Sequence, residues 1–269
     1  MPASGARVPE GVDETVPSVA RIYDYLLGGK DNYAVDRAAA AQFIELVPEV
    51  PRIARSNRQF LVRTVRFLAE SGIRQFIDLG AGLPTTPNVH EVARSVIPDA
   101  RVAYVDHDPI VLAYGNALFA TDDGVIVIGA DARQPAAVLG DPGLAGLIDF
   151  GEPFAVLILA LMHFVSDEEN PGRIVAGYRD RLPTGGYLVI SVGSSDGGPA
   201  AGPDGRLAEL YRAAGTPIVG RSHEEIAAWF DGFELEEPGL VQLSQWRPDN
   251  WAEARTTRIH MLGGVGRKL

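Results

Sequence analysis

Apolar positions along the chain repeat with two different periods, and the change falls near residue 72. Before it the spacing is helical. Val19, Ile22, Tyr23, Leu26 and Leu27 form one stripe, opened by Pro17-Ser18 and closed by Gly28-Gly29. A polar loop, Lys30-Asp31-Asn32-Tyr33, leads to a second helix over about Val35–Leu46. Pro48 and Pro51 are expected to break it, and a long helix is expected over about Ile53–Glu70, stopped by Ser71-Gly72. Residues 1–16 lack such a pattern and read as a disordered arm. The division this implies is an arm over 1–16, a helical cap over 17–71 and an α/β domain over 72–269.

From Arg74 onward short apolar runs alternate with helical segments. Strands are expected at Gln75–Leu79, Arg101–Val105, Val125–Ile128, Phe154–Leu159 and Tyr187–Val192, with further candidates at Phe233–Leu235, Leu240–Leu243 and Thr256–Leu262. Helices are expected over about Pro87–Val96, Pro109–Ala120, Pro135–Leu147, Pro171–Leu182, Leu207–Ala214 and Ser222–Phe230. Phe154–Leu159 is apolar throughout, as a parallel strand buried on both faces should be. This alternation predicts a doubly wound, Rossmann-like α/β fold. In such a sheet the ligand crevice lies at the carboxyl ends of the strands, so the residues just after each strand are the ones to inspect.

After the first strand comes Asp78-Leu79-Gly80-Ala81-Gly82. Two glycines let the backbone turn sharply and approach a ligand closely. A dinucleotide fingerprint would place a third glycine or alanine where this chain has Thr85. Asp78 can accept from a ligand ammonium, or simply cap the turn. After the second strand, Asp106 can take both hydroxyls of a ribose, with turn chemistry as the alternative. His107 lies along a nucleoside or in solvent, and Asp108 before Pro109 reads as a helix N-cap. After the third strand, Asp131 and the following Ala132 N–H suit an adenine edge, or Asp131 caps the next helix. After the fourth comes Leu159-Ala160-Leu161-Met162-His163. His163 is a candidate general base, or a satisfied histidine at a strand–helix junction.

Composition narrows the chemistry. The chain carries no cysteine, so disulfides, thiolate metal sites and thiol nucleophiles are excluded. Its formal net charge of −11 disfavours a nucleic-acid partner. The longest apolar run, Phe154 to Met162, is too short to span a bilayer, and no secretory signal pattern is present, so a cytoplasmic protein is expected. His90, His107, His163, His223 and His260 form no pair at helical ligand spacing, so no metal site is expected.

Each strand-end acid is ambiguous alone, but the ordered set of Asp-x-Gly-x-Gly, then an acid, then an aspartate is specific. With it the sequence resembles the class I S-adenosylmethionine (SAM)-dependent methyltransferases. It is closer still to a bacterial family once described only as a domain of unknown function and now called the S-adenosyl methyltransferase family. That likeness is carried by Pro17 through Tyr33 (including Arg21-Ile22-Tyr23-Asp24-Tyr25 and Gly28-Gly29-Lys30), by Asn57-Arg58-Gln59-Phe60-Leu61, by Gly72 through Thr85 and Asn88-Val89-His90-Glu91, and by Tyr104–Pro109 with Gly129–Arg133. The resemblance implies a seven-stranded sheet with an antiparallel last strand and an N-terminal helical cap. It implies SAM as cofactor and S-adenosylhomocysteine (SAH) as product, with Asp78, Gly80, Ala81 and Gly82 along the methionine part, Asp106 at the ribose, Asp131 and Ala132 at the adenine, and Leu159 beside the cofactor. Arg58 is expected to pair with the SAM carboxylate or to lie on a solvated helix face. Arg21, Tyr23, Tyr25, Lys30, Asn32 and Tyr33 are expected to contribute to an acceptor pocket, or merely to pack the cap. The missing cysteines exclude the radical-SAM and C5-pyrimidine subclasses. No Asn/Asp-Pro-Pro-Tyr/Phe stretch follows the fourth strand, which disfavours amino methylation of DNA bases or glutamine. The expected acceptor is a small molecule. The rivals are an NAD-dependent oxidoreductase on a similar fold and a SAM-binding regulator without turnover.

Overall fold

The computed structural model describes residues 9–196, 218–251, 254, 257 and 260–269. Three helices come first: α1 (Val19–Leu27), α2 (Ala34–Leu46) and α3 (Val50–Glu70). Then follow β1 (Gln75–Leu79), α4 (Val89–Arg94), β2 (Arg101–Asp106), α5 (Pro109–Phe119), β3 (Val125–Gly129), α6 (Pro135–Leu139), α7 (Pro142–Leu147), β4 (Ala155–Leu159), α8 (Pro171–Arg179) and β5 (Tyr187–Gly193). A short helix, His223–Ala228, precedes β6 (Phe233–Leu235), β7 (Val241–Gln242) and β8 (Met261–Lys268). The expected helix at Leu207–Ala214 lies outside the described residues.

The strands form one sheet in the order β3-β2-β1-β4-β5-β8-β6. β1 to β5 pair in parallel, and β8 runs antiparallel to β5 and β6. The sheet has eight strands rather than the expected seven. The reason is geometric. β6 pairs with β8 only over Leu235–Phe233 against Gly266–Lys268, which leaves the start of β8 open on that side, and β7 pairs there with Leu262 and Gly263.

Several boundaries differ from the periodicity, each with a cause. Pro51 does not break a helix but opens α3, which starts at Val50, because a proline in the first turn loses no hydrogen bond. The Pro135–Leu147 stretch divides at Gly140, where Asp141 caps a new helix by accepting from the Gly143 and Leu144 N–H groups. Of the strand expected at Thr256–Leu262, residues 256, 258 and 259 lie outside the described residues, and the last strand observed occupies Met261–Lys268. The expected strand stops before Gly263, yet the glycines beyond it fit a strand for steric reasons. A Cβ on Gly263 would stand 2.7 Å from the Phe60 ring, and one on Gly266 would stand 2.7 Å from the Phe230 ring.

Alternation along the strands divides the core in two. Ile77, Leu79, Val156, Ile158, Leu188 and Ile190 face Val138, Leu144, Val175, Tyr178 and Phe230. Phe76, Val102, Tyr104, Leu157, Leu159 and Val189 face Phe60, Leu61, Val65 and Leu68 of α3 and Val89 and Val92 of α4. Thus α3, expected as part of the cap, covers the sheet directly, while Ile22, Leu26, Ala40 and Phe43 of α1 and α2 cluster with Ala54 near its start. Of the arm expected over 1–16, residues 1–8 lie outside the described residues, and 9–16 are mostly exposed but touch the rest of the chain at a few points. Val12 packs with the group formed by Leu83, Ile110 and Val111, and the Asp13 and Val16 carbonyls accept from Arg21.

Candidate SAM site

β1 delivers Asp78 and then reverses through Gly80 (φ 69°) and Gly82 (φ 66°), both in the left-handed region that favours glycine. The turn is held by its neighbour strand. The Gly80 and Ala81 N–H groups donate to the Val105 carbonyl at 2.8 and 3.2 Å, and the Gly82 N–H donates to Asp106 Oδ2 at 2.9 Å. Leu161, from the turn after β4, closes on Gly80: a Cβ there would meet its Cδ1 at 2.9 Å.

Strand parity places Asp78 on the α3 side of the sheet, where only 5% of it is exposed. Among the described residues no donor bonds its carboxyl. Burial raises it to about 7, the Arg58 guanidinium pulling it down and the Asp106 carboxylate pushing it up. A buried acid without a hydrogen-bond partner is costly in a folded protein, and its persistence points to a ligand cation. Arg58 of α3 lines the same crevice, together with Asp78, Ala81, Gly82, Thr85, Asn88 and Tyr104. Its Nη2 donates to the carbonyls of Thr85 and Pro87, while its buried Nε has no partner among the described residues. An acid and a guanidinium that both retain bonding capacity match the two charged ends of an α-amino acid.

Asp106 is buried, and its Oδ1 accepts from the His107 and Asp108 N–H groups at 2.8 and 2.9 Å. It thereby shapes the glycine turn, whose Gly82 N–H donates to its Oδ2. His107 is exposed at the tip, with its ring nitrogen 4.0 Å from Asp106. Asp108 caps α5 as expected, accepting from Ile110 N–H at 3.0 Å. Asp131 is engaged by Arg133, which grips both carboxylate oxygens and also reaches Glu169 beyond β4 at 2.6 Å. The Ala132 carbonyl accepts from buried Tyr178 Oη at 2.8 Å, which pins the turn after β3. The sequence singled out neither Arg133 nor Tyr178 as a site residue, because neither is chemically distinctive until the fold brings it to a strand end.

His163 lies in a 3-10 turn after β4 and is 6% exposed. Its Nδ1 accepts from the Gly193 N–H at 3.3 Å. Burial, aided by the Arg221 charge, pushes its imidazole down to about 4. That suits a neutral imidazole that orders the ends of β4 and β5, and suits a general base at neutral pH poorly.

The cap residues separate into two groups. Arg21 forms a buried ion pair with Asp36 at 2.8 Å, and its guanidinium lies 4.9 Å from the Tyr33 ring centre. Asn32 is buried, donating to Asp24 Oδ2 at 2.8 Å and to the Gly29 carbonyl. Tyr25 packs within the cap core. These side chains build the cap. Lys30 is exposed, and Tyr33 packs beside Leu83 of the glycine turn with Tyr114 of α5. Tyr23 instead reaches inward to α3, as its hydroxyl accepts from Asn57 Nδ2 at 3.0 Å.

Among the described residues no group of histidine and acidic side chains is placed to hold a metal ion, and no helix is long and apolar enough to cross a membrane. No curated protein matches the chain in sequence. Two solved structures are similar over nearly all of it. One is a DUF574 family protein from Streptomyces avermitilis, 41% identical, covering 96% of this chain and 99% of its own, with a TM-score of 0.89. The other is a candidate methyltransferase from Thermobifida fusca, 44% identical, covering 96% and 97%, with a TM-score of 0.90. The plantazolicin methyltransferase BamL, solved with a triazolic desmethylPZN analogue and SAH, shares the fold at 12% identity and a TM-score of 0.53. The family model for S-adenosyl methyltransferases matches residues 5–269, and the chain belongs to that family of SAM-dependent enzymes.

Proposed function

We propose that the protein transfers a methyl group from SAM, drawn from the cytoplasmic pool, to a small-molecule acceptor bound beneath the N-terminal cap. One observation carries the placement of the donor: Asp78, buried and without a hydrogen-bond partner among the described residues, beside two left-handed glycines at the end of β1. In this reading Asp78 takes the ligand ammonium and Arg58 Nε its carboxylate. Gly80, Ala81 and Gly82 give the backbone room along the methionine part. Asp106, its geometry set by three backbone N–H groups, takes the ribose hydroxyls through its remaining lone pairs. The Asp131–Ala132 turn lies along the adenine, with Arg133 holding the aspartate in place. Leu159 and the turn that follows it form the wall beside the reacting centre.

The bound cofactor supplies an activated methyl group, so the chain's task is to orient the reactants and exclude water. His163 accepts a backbone N–H and stays neutral, and we assign it to positioning the edge of β4 and β5 rather than to proton removal. The acidic chain, at −11, favours a neutral or cationic acceptor over a polyanion. A thermal-shift comparison of SAM, SAH and NAD tests the donor assignment, because only a ligand of the native state stabilises it. SAM and SAH should raise the midpoint and NAD should leave it unchanged; stabilisation by NAD alone would overturn the reading. Label transfer from methyl-labelled SAM to a native cell extract tests for turnover.

A further inference from the structure

A buried chain of hydrogen bonds joins the cap to the turn that closes the donor site. The Ala160 N–H donates to both the carbonyl and Oγ of Ser191, each at 2.9 Å. Ser191 Oγ donates to Asn57 Oδ1 at 2.6 Å. Asn57 Nδ2 donates to the Tyr23 hydroxyl at 3.0 Å, and that hydroxyl donates to the Ala54 carbonyl at 3.1 Å. Apart from the Ala160 N–H, which is shared between two acceptors on Ser191, each donor bonds a single acceptor, and all point in one direction. The Tyr23 proton is committed to Ala54, so the amide of Asn57 has to present its nitrogen to Tyr23 and its oxygen to Ser191. Asn57 and Ser191 are 4% and 0% exposed, which removes water as an alternative partner.

The chain ends at a strained residue. Ala160 has φ 52°, in the left-handed region that an alanine rarely adopts. Such a conformation persists only when its surroundings hold it, and it marks functional turns. The next residue, Leu161, is the one seated against Gly80, so the conformation at Ala160 decides where that wall stands relative to the glycine turn. Asn57 is also the chain neighbour of Arg58, so a single turn of α3 sets both the carboxylate end of the site and its far wall.

We propose that Ser191 and Asn57 are positioning residues that hold Ala160 in its left-handed turn and so couple the cap, through Tyr23, to the donor site. This rests on the reading of the post-β4 turn as a wall of that site. The test is calorimetric titration of the full-length protein with SAH, with thermal midpoints recorded for every variant. Ser191→Ala should weaken SAH binding about tenfold in a protein that still folds. Glycine carries no penalty for a left-handed φ, so the double variant Ser191→Ala with Ala160→Gly should recover to within about threefold of Ala160→Gly alone. A role in general core packing would not be rescued this way. If Ser191→Ala does not fold, Tyr23→Phe carries the test from the cap end, with an expected loss of about threefold that Ala160→Gly abolishes. Equal affinity in Ser191→Ala (or Tyr23→Phe), or a loss that Ala160→Gly fails to relieve, overturns the proposal. If the unaltered protein itself does not bind SAH, the donor-site reading falls and this proposal with it; if it does bind, the variants judge this proposal alone.

Discussion

Asp78→Asn should make the ligand-free protein more stable and its ligand binding weaker, and this pair of opposite effects separates a binding carboxylate from a structural one. The substitution keeps the side chain's shape and removes its charge. Burial raises the Asp78 carboxyl from 3.8 to about 7, which corresponds to about 4 kcal/mol against its charged form, as an upper bound. The sign follows from linkage. A folded-state value above the unfolded one gives stability that is complete below about pH 4 and is lost as pH rises through about 7. The wild type should therefore lose stability relative to Asp78→Asn between those limits. At pH 5 the variant should already be more stable by up to about 2 kcal/mol, and at pH 8.5 by as much as about 4 kcal/mol. SAH affinity should move the other way. Losing one charge-assisted hydrogen bond in a buried site costs about 1.5–3 kcal/mol, or about ten- to a hundredfold in Kd. Urea unfolding at the two pH values and calorimetric titration with SAH measure both. If Asp78→Asn is destabilised at pH 8.5, the carboxylate supports the turn instead; if the SAH Kd is unchanged, it does not meet the ligand.

Three further outcomes follow from the geometry. SAH affinity should strengthen as pH rises through about 7, when Asp78 becomes charged, and Arg58→Ala should both weaken binding and displace that rise to higher pH; a flat pH profile between 5.5 and 8 would contradict this. His163 is held neutral, with a folded value of about 4 below its ordinary 6.5, so its contribution to stability is present above about pH 6.5 and is lost as pH falls toward 4. His163→Gln should remove up to about 3 kcal/mol of that acid sensitivity while leaving SAH affinity at pH 7.5 unchanged, whereas parallel stability curves for the two proteins would refute the assignment. Arg21→Leu strands Asp36 in the cap core and should cost about 3–5 kcal/mol in urea unfolding; a loss under 1 kcal/mol would show that the pair does not hold the cap.

The strand-end residues were legible in the sequence because each sits at a change of pattern. An apolar run stops at Asp78, Asp106 or the residues just before Asp131, and the fold rule assigns ligands to those places. The antiparallel last strand was legible through the family likeness, while the strand order was not. Nor were the glycines of β8: the expected strand stops before Gly263, and Gly263, Gly264 and Gly266 fit a strand because the rings of Phe60 and Phe230 fill the space above them. The cap residues were grouped together in the sequence by composition, yet the structure divides them: Arg21 and Asn32 are buried in the cap's own bonds, and Tyr23 turns toward the sheet. Asn57 stood out only as part of the family likeness, and Ser191 carried no signal. They lie 134 positions apart and become partners only when β5 passes beneath α3.

The central claim is that the amino-acid end of the methyl donor lies between Asp78 and Arg58. A crystal structure of the SAH complex tests it most directly. The SAH ammonium should lie at hydrogen-bond distance from Asp78, about 2.7–3.2 Å, with the SAH carboxylate toward Arg58, the ribose at Asp106 and the adenine along Asp131–Ala132. SAH bound with Asp78 still unpartnered, or seated away from the Gly80–Gly82 turn, would contradict it.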